Sequence, residues 1–76
     1  MTKHIGFIGY GLRSRTMMKA FDAIEADICV SALADPRAEQ IRAETAHDAR
    51  FADTISVENA DALLRLGRLD GVFVGT

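Results

Sequence analysis

The stretch Gly9-Tyr10-Gly11-Leu12-Arg13-Ser14 is where this chain carries residues spaced for chemistry. Gly9 permits a tight turn out of a strand. Gly11 lacks a Cβ, so a pyrophosphate could come close to the backbone there. Ser14 stands where a third glycine or alanine is usual, and is still small enough for a helix to pack close on a strand. The N–H groups of the first helical turn lack intrahelical partners and would face bound phosphates. A turn of this kind by itself also fits a plain strand-to-helix connection. Its setting between an apolar run and a helical pattern favours the binding role. So does Asp35, an acid about 20 residues further on, where a ribose hydroxyl would be held.

Asp35 reads in two ways: it accepts from an adenosine ribose, or it caps the helix that starts at Pro36. An acid at this place repels a 2′-phosphate, which favours NAD and leaves NADP open. Arg37 could stack on an adenine, reach a 2′-phosphate or simply be solvated. Arg13 and Arg15 could screen a pyrophosphate or lie on a solvent face. His4 precedes the crevice by a whole strand, and His47 ends a polar helix. Cys29 reads as a small buried hydrophobe. No Ser/His/Asp group, His pair or crevice lysine is in view, so no catalytic or metal-ligating residue is assigned. Lys3 precedes the first strand and Lys19 lies on the first helix.

These residues need an α/β frame. Residues 4–8 read as a strand apolar on both faces, as in the middle of a parallel sheet. Residues 12–24 read as a helix with Met17, Ala20, Phe21 and Ile24 on its apolar stripe and Met18 partly exposed. Residues 27–34 form a second strand, and Pro36 opens a charged helix over 38–46 with Ile41 inward. A weak third strand is expected at 49–52, centred on Phe51. Ser56 would cap a helix over 57–66, with Ala60, Leu63 and Leu64 inward and Gly67 ending it. Residues 70–75 form a fourth strand. The order β-α-β-α-β-α-β with right-handed crossovers gives a Rossmann-type parallel sheet, strand order 3-2-1-4, with helices on both faces. This is an incomplete doubly wound fold. The apolar fourth strand would need cover from further chain, a partner or a second copy in a homo-oligomer.

The 76 residues allow one small domain. A net charge of −2 provides no basic stripe for nucleic acid and no polybasic membrane patch. One cysteine excludes an internal disulfide and fits a reducing cytoplasm. No signal peptide or membrane-spanning run is expected.

Taken together, Lys3 to Gly11, Ala34-Asp35-Pro36 and the ending Leu69-Asp70-Gly71-Val72-Phe73-Val74-Gly75-Thr76 resemble the N-terminal domain of the glucose–fructose oxidoreductase/inositol dehydrogenase (Gfo/Idh/MocA) family. The resemblance covers the whole chain. It implies a partial NAD(P)-binding Rossmann domain over 1–76 of an oxidoreductase acting on sugars, polyols or related small molecules. Gly9, Tyr10, Gly11, Leu12 and Arg13 would then lie at the pyrophosphate, Asp35 and Arg37 at the adenosine, and Thr76 beside the nicotinamide. The family's later lysine, which acts in proton transfer, and its substrate domain have no counterpart in these residues. A small-molecule substrate is therefore expected only for a longer protein. The alternative is a stand-alone, non-catalytic nucleotide-binding module serving as a sensor or partner subunit.

Overall fold

The computed structural model describes residues 1–75. Strand β1 (Lys3–Ile8) leads through the glycine turn into helix α1 (Leu12–Ala23). Strand β2 (Ile28–Ala34) and helix α2 (Ala38–Glu44) follow, then a single 3-10 turn (Ala49–Phe51). Strand β3 (Ile55–Val57), helix α3 (Ala60–Leu64) and strand β4 (Gly71–Val74) complete the order. The four strands are parallel and lie in the order β3-β2-β1-β4. This is an α/β, Rossmann-like sheet, and the change of direction between β1 and β4 makes a switch point at the carboxyl end of β1.

Helices pack on both faces of the sheet, but Val72 and Val74 of β4 stay exposed. One face holds Phe7, Val30 and Leu33 under α1 and α2, which contribute Met18 and Ile41, with Phe51 from the 3-10 turn beside them. The other holds Ala32 and Ala34 under Leu63 of α3. The β1–β2 register slips at one place. Ile5 pairs with Val30 but Gly6 pairs with Ala32, leaving Ser31 as the extra residue of a bulge. The slip explains how Val30 and Leu33, three apart, share one face.

The sequence expectations fail at the third strand. Residues 49–52 form the 3-10 turn, and the strand lies at Ile55–Val57. Phe51 is buried, but as a plug from a turn whose Asp48 side chain accepts from the Arg50 N–H. Arg50 then bonds Asp48 and Asp22, tying the turn to α1. Ser56 lies within β3 and caps nothing. The cap is Asn59, whose side chain accepts from the Ala62 N–H at 2.9 Å. Helix α3 is accordingly half as long as expected, and Gly67, at φ 65°, turns the chain back beyond it.

Three facing assignments also change. Met18, expected partly exposed, is buried, while Ile24 is exposed. Ser14, Met18 and Phe21 define the inward line at helical spacing, so the stripe is rotated by about one residue. Leu64, expected inward, is 58% exposed, whereas Leu63 is fully buried. Pro36 does not start α2. It lies in a turn closed by the Ala38 N–H to the Asp35 carbonyl at 3.1 Å, and the helix begins at Ala38.

Leu63 is thus the single fully buried anchor of α3. Leu63→Ala should cost about 2–5 kcal/mol of stability, and Leu64→Ala about 0.5 kcal/mol or less, in urea unfolding. Equal losses would refute this orientation of α3.

Candidate functional site

The glycine turn is built from the ends of β1, β2 and β4. Beyond Ile8 the β1–β2 ladder continues by one bond, the Gly9 N–H to the Ala34 carbonyl at 2.8 Å. Gly9 then takes φ 82°, a left-handed conformation that side chains other than glycine's disfavour. On the other flank the Gly75 N–H bonds the Ile8 carbonyl at 2.8 Å. Gly75 packs so close on α1 that a Cβ there would overlap Ser14 Oγ and stand 3.0 Å from the Gly9 carbonyl oxygen. Ser14 is fully buried, and its hydroxyl donates to that same carbonyl at 2.7 Å. The third small residue of the motif thus serves close packing of helix, turn and β4.

Gly11 differs. Its φ is −95°, open to any residue, and a Cβ there would approach nothing closer than 3.9 Å. Its nearest neighbours would be Arg37 Nη2 on one side and the Gly75 carbonyl on the other. Gly11 is the N-cap of α1 and no side chain caps that helix. The first-turn amides therefore have no side-chain partner.

Asp35 closes the β2 flank. Its side chain is 3% exposed. Oδ2 accepts from the Tyr10 N–H at 2.7 Å and from Arg37 Nη2 at 3.1 Å. Oδ1 accepts from the Arg37 N–H at 2.7 Å and from Arg37 Nε at 3.2 Å. The Arg37 guanidinium beside it, helped by the two backbone N–H groups, outweighs burial and holds its pKa down at about 2. Asp35 does not cap α2. It makes a local turn to the Arg37 N–H, while the N-cap position is Arg37 itself, without a side-chain cap.

The expected site residues divide as follows. Gly9, Gly11, Asp35 and Arg37 come together around the turn, with Leu12 and Arg13 exposed at the head of α1. Tyr10 contributes its backbone alone. Its ring is buried edge-on against Phe7 and Phe51, at centroid distances of 5.3 and 5.7 Å. Burial pushes its hydroxyl pKa up. Arg15 is turned away, over the Tyr10 ring at 5.0 Å and onto Glu44 at 2.7 Å. Thr76 lies outside the described residues. Gly75 was not singled out from sequence, although a glycine directly after an apolar strand at the crevice end was the available signal. His4 stands at the far end of β1, its Nδ1 3.0 Å from Ser31 Oγ. Among the described residues no group of His, Cys, Asp and Glu could hold a metal ion. Nor is any helix long and apolar enough to cross a membrane.

With this geometry in hand, comparison with known proteins finds no matching family model, no matching curated protein and no matching solved structure. The Rossmann-like class stands on the sheet order and crossovers, and it is compatible with nucleotide binding.

Two outcomes test the site's construction. The folded-state pKa of Asp35 lies below its ordinary 3.8, so its contribution is present above that pH and is lost as pH falls through about 2. Asp35→Asn should therefore lower stability on the order of 2 kcal/mol near neutrality, and the deficit should shrink as the wild type is acidified. Urea melts at several pH values would show it, and a pH-independent difference would refute it. Gly75→Ala should cost about 2–3 kcal/mol through overlap with Ser14, and Ser14→Gly should restore part of that loss.

Proposed function

We propose that residues 1–76 form the cofactor-binding opening part of an NAD(P)-dependent oxidoreductase acting on a sugar, polyol or similar small hydroxy or carbonyl compound. The observation that carries the reading is the bare backbone at Gly11. Gly9 is required by its φ and Gly75 by its packing. Gly11 is required by neither, and it stands at the N-cap of a helix that no side chain caps. A pyrophosphate is the group that needs this combination of bare backbone and unpaired N–H donors. In this reading the amides of Leu12 and Arg13 hold the pyrophosphate, and the Asp35–Arg37 end holds the adenosine. Thr76 is proposed beside the nicotinamide. The cofactor, when bound, accepts or donates the hydride.

The residues that would move the substrate's proton, and the substrate pocket, are proposed to belong to further chain of a two-domain protein. The uncovered side of β4 supports this, since Val72 and Val74 are exposed on a strand of the sheet. The half-buried, unpaired Cys29 fits a cytoplasmic setting. A non-catalytic nucleotide-binding module is the second reading. It is favoured by the absence, among the described residues, of a lysine or histidine at the turn: Lys3 and His4 lie at the start of β1, Lys19 on α1, and His47 after α2.

Gly11→Val is the decisive variant. It should weaken binding of ADP-ribose by about tenfold or more in calorimetric titration. The melting temperature should move by only a few degrees, because a Cβ there would make ordinary van der Waals contact with Arg37 and the Gly75 carbonyl, not a clash. Unchanged affinity would remove the pyrophosphate assignment. Binding without reduced-nicotinamide formation across a panel of sugars and polyols, in the complete natural polypeptide, would select the module.

A further inference from the structure

We infer that Arg37 sets ligand choice at this site, and that the dinucleotide taken here carries a phosphate on the adenosine 2′-oxygen. The inference rests on the nucleotide-binding reading above and reverses the preference that an acid at position 35 suggests from sequence alone. A carboxylate offers about four lone-pair directions. At Asp35 all four are in use: the Tyr10 and Arg37 N–H groups at 2.7 Å each, Arg37 Nε at 3.2 Å and Nη2 at 3.1 Å. A ribose with a free 2′-hydroxyl binds an acid by donating to it. Here no acceptor direction is open until the guanidinium leaves. Leaving would break both side-chain bonds to Asp35 and a third, from Nη2 to the Tyr10 carbonyl at 3.3 Å.

The group that a ligand meets first is the cation. The Arg37 side chain is 52% exposed and that of Asp35 only 3%. Nε and Nη2 are engaged with Asp35 and Tyr10, while the two N–H donors of Nη1 have no partner among the described residues. The guanidinium is held rigidly by its own acid and presents that free pair outward. Asp35, neutralised by the same contact, no longer opposes an anion with a net charge. Arg37 Nη2 would lie 3.9 Å from a Cβ on Gly11, so the cation borders the place proposed for the pyrophosphate. A free donor pair beside that place suits a phosphate on the adenosine ribose.

The test compares three ligands on the complete natural polypeptide by calorimetry: 5′-AMP, adenosine 2′,5′-bisphosphate and adenosine 3′,5′-bisphosphate. NAD and NADP are titrated beside them. The expected result is that the 2′,5′-bisphosphate binds at least about tenfold tighter than 5′-AMP and tighter than its 3′,5′ isomer, with NADP ahead of NAD. Arg37→Ala should abolish that preference, the 2′,5′-bisphosphate losing more affinity than 5′-AMP. Equal or tighter binding of 5′-AMP and NAD to the wild type overturns the inference and leaves the nucleotide reading standing. Equal binding of the two bisphosphates, or a preference that survives Arg37→Ala, overturns it as well. Silence from all five ligands overturns the nucleotide reading, and this inference with it.

Discussion

The structure depends on one buried carboxylate that joins two strand ends. Asp35 follows β2, yet one of its shortest bonds is to the Tyr10 N–H, which follows β1. Parallel strands exchange ladder bonds only along their paired length, and beyond Ile8 and Ala34 one further backbone bond remains. Asp35 supplies the next link with a charged acceptor, which makes a stronger bond than a neutral one. A carboxylate buried without partners would be strongly destabilising. Here two backbone donors and one guanidinium supply its partners. The result is a turn whose shape is set by its own bonds.

That link also orients the core. With its N–H tied to Asp35, Tyr10 sends its ring under the sheet, edge-on to Phe7 and Phe51, and Phe7 meets Phe73 edge-on at 5.9 Å. The chain of rings runs from β4 across β1 to the 3-10 turn. The polar and apolar constraints at residue 10 act in opposite directions from one backbone position. On the β4 side the same turn is closed by size alone: Gly75 against Ser14, with the Ser14 hydroxyl satisfying the Gly9 carbonyl. Different forces therefore hold the two flanks. One is an ion pair sensitive to pH, and the other is steric packing insensitive to it.

What the sequence made legible follows from which forces act locally. The strand order, the crossovers and the glycine turn were readable because β1, α1, β2 and β4 carry strong periodicity or unbroken apolar runs with glycine or proline punctuation. The third strand was not. Phe51 is apolar in a short run, and a buried plug from a 3-10 turn looks the same as the centre of a weak strand. Ile55–Val57 has three residues, one of them exposed, so neither length nor alternation marks it. Its identity comes from pairing with Ala32–Ala34, a long-range fact. The rotation of α1 was hidden for a related reason. Ser14 is buried by the approach of Gly75, some sixty positions away, and that approach pulls Met18 inward with it. In the candidate site the residue types were legible, but Arg37's occupation of the acid was not. Sequence shows that an acid and a cation are two residues apart. Only geometry shows that every acceptor direction is filled.

The distribution of order in the sheet bears on what the domain is built to do. At the carboxyl end, the turn is fastened by the Asp35 bonds, the Gly9 and Gly75 backbone bonds and the Ser14 hydroxyl. On the face under α3, a five-residue helix rests on one fully buried leucine, and Val74 at the end of β4 is 57% exposed. A domain of this size gains little stability to spare from its core. Concentrating bonds at the glycine turn, while Val72 and Val74 stay exposed, does little for the isolated fold. It is the arrangement that the proposed nucleotide site calls for, since a turn already ordered costs less to bind.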